Sequence, residues 1–351
     1  MAHVDRLQAS LEDSWNREVL DKFNNYSASY GTQAGEGIVD RSRTSELVDT
    51  FYNLVTDIYE WGWGQSFHFS PKLPGKDWKA SEAAHESRLV GALRLEPGLK
   101  CLDVGCGVGG PMRTIASVSG AHVTGLTINQ YQVDRCTHHN AKMGVSAIAK
   151  AVQGDFLNMP FEKETFDAAY AIEATCHASK LEDVFGEVYR VLKPGGFFAS
   201  YEWVSTKNYN PSNPEHVRIM DEINFGNGLP EMRTYIEAEN AGKHVGFELV
   251  QSVDIAANSP KVCGSWYDRL KLAGWQIAFN TVLVSIFSTL RLCPKGVEDV
   301  HTMLVKVAGS LVEGGETSTF TPMHLLVFRK PDTNGKAKSA AKAGDKAAAS
   351  K

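Results

Sequence analysis

Leu102-Asp103-Val104-Gly105-Cys106-Gly107-Val108-Gly109-Gly110 is the stretch on which the reading of this chain turns. A buried strand, Lys100 to Val104, runs into a glycine-rich turn, and a helix over Gly110–Ser119 leaves it. Such glycines let the main chain reverse tightly and admit a ligand against bare backbone. Outward from it the pattern alternates. A helix is expected near Glu82–Leu93, strands at Ala121–Leu126, Ala147–Val152, Thr165–Ile172 and Gly196–Glu202, and helices at Gln130–Met143 and Leu181–Leu192. This alternation predicts an α/β chain with a doubly wound, mostly parallel sheet. Further on, a helix is expected at Glu231–Lys243 and a strand at Phe247–Asp254, then about 60 helical residues and a closing strand, Phe320–Phe328.

The flanks divide the chain. Residues 1–45 form a polar lead-in. Residues 46–81 combine helical spacing (Leu47, Phe51, Leu54, Val55, Ile58) with the aromatic run Tyr59-Glu60-Trp61-Gly62-Trp63-Gly64-Gln65-Ser66-Phe67-His68-Phe69. Residues 82–205 make the core, 206–331 complete the sheet and cover a substrate, and 332–351 are Ala/Lys-rich and too poor in large apolar residues to fold. The net charge is −5. Residues 330–351 hold six Lys and two Asp, so the remainder carries −9, which disfavours a nucleic-acid partner. The six cysteines show no CxxC pairing, so no zinc site and no disulfide framework is expected. No secretory signal and no transmembrane run is visible; Leu272–Leu290 is the nearest, better suited to a buried helix or a lipid-touching surface.

The glycines alone also satisfy the dinucleotide pattern. Asp103 tilts the choice: a carboxylate two residues before Gly105 anchors a cationic aminoacyl group, whereas a dinucleotide site keeps that helix end free for pyrophosphate. Asp155, before Phe156, follows the third strand, where it can accept an adenine amino hydrogen. Phe166-Asp167 and Leu192-Lys193-Pro194-Gly195-Gly196 complete an ordered set that resembles the class I, Rossmann-like methyltransferase family, with S-adenosylmethionine as co-substrate and no metal. The cofactor residues expected on this basis are Asp103, Gly105, Cys106, Gly107, Gly109, Asp155, Phe156 and Glu173, joined by Thr127, Asn129 and Gln130. Those three stand where an acidic ribose anchor is common, and Gln130 offers the ribose an uncharged hydrogen bond.

Tyr59–Phe69, Leu102–Pro111, Ile172–Ala178, Tyr201–Trp203, Gly226–Tyr235 and Gly314–Met323 carry a closer resemblance, over residues 47 to 331, to the sterol 24-C-methyltransferases, most of all the cycloartenol-using type. The resemblance implies methyl transfer to carbon 24 of a sterol with a side-chain double bond, cycloartenol giving a 24-methylene sterol. It also implies an oligomer. A water-insoluble substrate without a visible spanning run points to a peripheral protein at the endoplasmic reticulum or lipid droplets, with Leu272–Leu290 as the contact. The competing readings are a methyltransferase for another lipid, such as a tocopherol precursor or a phosphoethanolamine, and a lipid-binding protein on a dead methyltransferase fold. The aromatics ahead of the glycine loop disfavour the first. Asp103 and Asp155 disfavour the second.

The chemistry accounts for the residue types. An alkene attacking an activated methyl leaves a tertiary cation, a hydride shifts, and a proton must then be lost. The protein must align the reactants, exclude water, stabilise the cation and provide a base. The π faces of Tyr59, Trp61, Trp63, Phe67 and Phe69 suit the cation, at about 2 kcal/mol each when desolvated. Glu60 and His68 stand among them. Glu173, His177 and Glu202 lie at strand ends and are alternative final bases, although Glu173 or His177 could instead orient a neighbour or the sterol hydroxyl. Cys106 and Cys176 are expected to pack.

Two outcomes follow. Asp103→Ala or Gly107→Leu should abolish S-adenosylmethionine binding in titration calorimetry without unfolding the protein; unchanged affinity in both would sink the assignment. Truncation at Pro331 should leave turnover on detergent-solubilised sterol intact, and a large loss would give the tail a structural role.

Overall fold

The computed structural model describes residues 20–30, 45–46, 48–49, 52, 56, 60, 63–272, 274–290 and 296–332. Tyr59 and Trp61, the lead-in outside 20–30 and 45, and the tail beyond 332 lie outside the described residues.

One sheet organises the molecule. Its strands are β1 (Lys100–Val104), β2 (His122–Thr127), β3 (Ala149–Gln153), β4 (Phe166–Ile172), β5 (Leu192–Ser205), the two-residue β6 (Arg233–Thr234), β7 (Glu248–Asp254) and β8 (Phe320–Arg329). They lie in the order β3-β2-β1-β4-β5-β8-β7, with β6 paired to the end of β5. β1 to β5 run parallel, and β8 runs antiparallel between β5 and β7. This is the expected mostly parallel, doubly wound α/β architecture. From Trp78 onward the described helices are α1 (Trp78–Ala92), α2 (Gly110–Ser119), α3 (Gln130–Lys142), α4 (Leu181–Val191), α5 (Pro214–Asn227), α6 (Tyr235–His244), α7 (Asp268–Leu272), α8 (Gly274–Thr289) and α9 (Val297–Glu316).

Sequence reading missed α5 and β6, and it ran the helix now called α6 back to Glu231. Both have a local cause. Asn213 caps α5, its side chain accepting from the Glu215 N–H, and Pro214 occupies the first turn. Thr234 and Glu237 form a capping box that starts α6 only at Tyr235.

The chain winds outward from β1 to β3 and then returns to the other side of β1 as β4. The carboxyl ends of β1 and β4 are therefore adjacent, with Asp103 opposite Tyr170. That is the switch point at which doubly wound sheets bind ligands. Strand alternation splits the core. Cys101, Tyr170, Tyr201 and Trp203 face α1, α2, α5 and α9, while Leu102, Ala169, Phe198 and Val204 face α4 and α6.

α5 and α9 pack at a glycine: a Cβ on Gly226 would sit 2.4 Å from the Val307 Cβ. Gly226→Ala should therefore destabilise the fold by about 1–3 kcal/mol. On α9, the exposed Gly309 has nothing within 4 Å of its Cβ position, so Gly309→Ala should stabilise by about 0.5–1 kcal/mol. Denaturant unfolding of the pair checks both; equal shifts would contradict the packing.

Candidate active site

Two cavities meet at the carboxyl edge of β1 and β4. The first encloses about 930 Å³, open mouth included, and is lined by Asp103, Gly105, Cys106, Gly107, Thr127, Asp155, Phe156, Glu173 and His177, among others. The second is mostly apolar and is walled by Trp63, Phe69, Trp203 and the α9 residues Leu304, Val307, Ala308 and Leu311. Phe67, His68 and Glu173 line both.

The glycine loop is built as its residue types demand. Gly105 has φ +84°, and a Cβ there would lie 2.4 Å from the Ala174 Cβ. Its N–H and that of Cys106 donate to the Leu126 carbonyl, while Gly109 opens α2 in a left-handed conformation without lining the cavity. Buried Arg113 braces the loop by donating to Val108 O at 2.8 Å and to the Gln65 side chain at 2.8 Å. Asp103 is buried and accepts from the Tyr170 hydroxyl at 2.9 Å. Burial raises its carboxyl to about 7, against the lowering effect of that hydrogen bond. A cationic group is what such a carboxylate lacks. Asp155 accepts from Leu157 N–H and from the Ser45 hydroxyl, both at 2.8 Å.

Two of the three expected ribose contacts are corrected. Gln130 is exposed on α3 and donates to Asp134, and Asn129 caps α3 and donates to Asp49 at 2.8 Å. Neither is among the residues lining the cavity. Helical phase is the reason: Gln132, two residues on, points inward and accepts from Thr127 Oγ1 at 2.6 Å.

Glu173 is the hinge of the arrangement. It follows β4 at φ +53°, a left-handed conformation that costs a non-glycine residue energy and is retained where the surroundings over-determine it. Its Oε1 accepts from Phe69 N–H at 2.9 Å and its Oε2 from Trp203 Nε1–H at 2.8 Å. Burial raises its carboxyl to about 8, opposed by nearby His68 and by the two donors. His68 donates through Nδ1 to Phe69 O at 2.8 Å and through Nε2 to Glu86 at 2.9 Å. Burial alone would depress its pKa, but the hydrogen bond and charge of Glu86 raise it to about 9, so His68 is an imidazolium clamped to Glu86.

His177 sits in a single 3-10 turn, Thr175–His177. Burial lowers it to about 4, so it is neutral, with Nδ1 3.2 Å from Gly228 O and Nε2 3.1 Å from the Tyr52 hydroxyl.

The other sequence-derived sites divide. Phe67 lines both cavities and Trp63 the second, with one face of Trp63 carrying the Arg269 guanidinium 4.1 Å from its ring centroid. Glu60 is corrected: it lines neither cavity, because Arg135 and His139 of α3 take its carboxylate at 2.6 and 2.7 Å. Burial works to raise that carboxyl, but these partners hold it below its ordinary value. Glu202 is corrected too. Strand alternation turns it away from Trp203, and buried behind the sheet it accepts from Thr175 and Ser200. Its carboxyl is raised by burial, against those two donors.

The sequence reading missed Trp203, although the Tyr201–Trp203 segment had been singled out. It also missed one face of the segment before the aromatic run. Ser45, Asp49, Tyr52, Thr56 and Glu60 are helical and spaced by three or four residues. They bond in turn to Asp155, Asn129, His177, Gln132 and Arg135. This face closes over the first cavity, which Ser45, Val48 and Tyr52 help to line.

Comparison with known proteins agrees with this geometry. Residues 102–200 match the methyltransferase domain family, and residues 268–332 match the C-terminal region of sterol methyltransferases. The chain is 48% identical over 316 residues to 24-methylenesterol C-methyltransferase 2 of Arabidopsis thaliana, covering 90% of this chain and 86% of that protein. It is 51% identical over 319 residues to Squalene methyltransferase 2 of Botryococcus braunii, covering 90% and 84%. A cyclopropane synthase from Mycobacterium tuberculosis shares the fold at TM-score 0.68 and 17% identity, covering 82% of this chain and 98% of that one. The chain therefore belongs to the sterol methyltransferase family, and it is an enzyme of the methyltransferase class.

Proposed function

We propose that the protein transfers a methyl group from S-adenosylmethionine to carbon 24 of a sterol with a side-chain double bond, cycloartenol giving a 24-methylene sterol. The observation that carries this is the position of Glu173, whose buried carboxyl lines both the glycine-loop cavity and the aromatic, apolar cavity. The first cavity suits S-adenosylmethionine in its donor set: Asp103 for the ammonium, bare backbone at Gly105 and Gly107, and Asp155, Thr127 and Gln132 for the nucleoside. When bound, that co-substrate supplies an electrophilic methyl carrying positive charge.

The chain's own groups do the rest. Trp63, Phe67, Phe69 and Trp203 give the side chain a water-poor channel, and π faces stabilise positive charge by about 2 kcal/mol or more each when desolvated. Glu173, held by two N–H donors, places a carboxylate beside the charge that develops. The co-substrate's own positive charge favours that ionised form. Because positive charge reaches the acceptor only as the methyl moves, the π faces act on the transition state, whereas Glu173 already meets the positive charge of the bound co-substrate. A second reading has one observation in its favour. The second cavity is mostly apolar, which suits a hydrocarbon triterpene as acceptor, and the relatives named above include a squalene methyltransferase.

We place the enzyme peripherally on the endoplasmic reticulum or lipid droplets. Among the described residues no helix is long and apolar enough to cross a membrane, while α8 and the residue after it expose Val282, Ile286 and Leu290 at spacing four.

Incubation with cycloartenol, zymosterol, a 24-methylene sterol and squalene in parallel tests the reading. A 24-methylene product from cycloartenol is expected, and methylation of squalene alone would overturn the sterol assignment. Glu173→Gln should cut turnover about 100-fold or more, in line with the loss of one preorganised electrostatic group. The same variant has a stability signature. The folded pKa near 8 lies above the ordinary value of 4.5, so the fold favours the neutral form and loses stability as pH rises from 4.5 towards 8. Glu173→Gln should therefore melt higher than the unaltered apoprotein at pH 8, with the difference vanishing at pH 4. No pH dependence would contradict the burial argument.

A further inference from the structure

The reaction proposed above must end with loss of a proton, and the structure offers a pair of groups for it, of which the strand-end reading named only His177 among its alternatives. His177 Nδ1 lies 3.2 Å from the Gly228 carbonyl, which can only accept. That nitrogen therefore carries the hydrogen, and Nε2 presents its lone pair to the Tyr52 hydroxyl at 3.1 Å. The carbonyl is itself fixed: Gly228 closes α5 in a left-handed conformation, and its N–H donates to the Tyr26 hydroxyl at 3.0 Å. Both Tyr52 and His177 line the cavity that Glu173 shares with the aromatic channel.

We propose that Tyr52 and His177 together take the final proton. The step, which rests on the function proposed above, is balanced as follows. The C–H bond next to the cationic carbon breaks, and its electron pair becomes the new double bond. The proton passes to the Tyr52 oxygen as the Tyr52 proton moves to His177 Nε2. The resulting imidazolium keeps its Nδ1–H on Gly228, and the proton leaves to water once product departs.

Placement matters here more than basicity. A tertiary carbocation gives up a neighbouring proton to a weak acceptor, so a neutral phenol–imidazole pair is sufficient, and a phenol oxygen is a poorer covalent trap than a free carboxylate. Glu173 is less suited to the role. Each of its oxygens accepts an N–H, from Phe69 and from Trp203, which holds it as a counter-charge. Glu202 and Glu60 line neither cavity, and His68 has both nitrogens committed to acceptors.

The test uses the full chain with Tyr52→Phe, which keeps the ring, with His177→Gln, and with both changes. Cofactor affinity is read by calorimetry, products by gas chromatography with mass detection, and the isotope effect with a sterol deuterated at the carbon that loses the proton. Tyr52→Phe should bind S-adenosylmethionine as the unaltered protein does. It should lose about 100-fold in methylated alkene and show an enlarged isotope effect, as expected when a general base is removed. The double variant should be no worse than the weaker single, because the two act as one unit. Unchanged rate and products in Tyr52→Phe would overturn the pair, as would losses that merely follow cofactor affinity, which would make Tyr52 part of the seal alone. If the unaltered enzyme methylates sterol while the variants match it, only the pair fails. If the unaltered enzyme methylates none of these alkenes, the function proposed above fails and takes the pair with it.

Discussion

A carboxyl group held in the protein interior by two N–H donors is the constraint around which this active site is arranged. Glu173 can stand between two cavities because β4 ends beside β1, because its own backbone turns through φ +53°, and because Phe69 and Trp203 each bring a donor to one of its oxygens. Burial makes the charged form expensive and raises the carboxyl to about 8. The His68 imidazolium on Glu86 partly offsets that cost. A positively charged methyl donor and the cation formed after transfer offset it further, so under the proposed reaction the site is better matched to the reacting state than to the resting one.

The surroundings serve that match. The glycine loop brings bare backbone to one side, and Arg113 ties it to Gln65 in the segment that supplies the aromatics. Glu60 anchors the same segment to α3 through Arg135 and His139. The residues first read as reactive thus separate into groups facing the cavities (Trp63, Phe67, Phe69, Glu173, His177), Glu60, which clamps the segment in place, and His68, which lines both cavities and is itself clamped to Glu86. The clamps still matter to chemistry, since a displacement of about 1 Å in a positioning element costs on the order of 100-fold in rate.

The central sheet was legible because its signals are local. Short, continuously buried strand runs, the glycine turn and the period of the intervening helices each stand within a dozen residues, and β1, α2 and α3 begin where the pattern places them. Helix α5 was less so. Its start carries a cap and a proline, but its faces are only weakly amphipathic. Gln130 and Asn129 were assigned to the ligand by position after β2, whereas about half a turn beyond Gln130 the helical phase selects Gln132. Glu202 was open to correction from the sequence itself, since a strand that turns Trp203 to one face of the sheet turns Glu202 to the other. The closing face of Ser45, Tyr52 and Thr56 was beyond reach. Its partners lie 110, 125 and 76 residues away, and polar residues at helical spacing look the same on a solvated surface as on a lid.

The central claim is that Glu173 faces the positive charge that develops at the acceptor carbon. The most direct measurement compares the affinity of two acceptor analogues in the presence of S-adenosylhomocysteine. One carries a protonated amine in place of the reacting side-chain carbon, and the other is its neutral isostere. The account predicts that the cationic analogue binds more tightly to the unaltered protein, by about tenfold or more, and that Glu173→Gln erases the preference while leaving the neutral analogue unaffected. An equal preference in both proteins would contradict it.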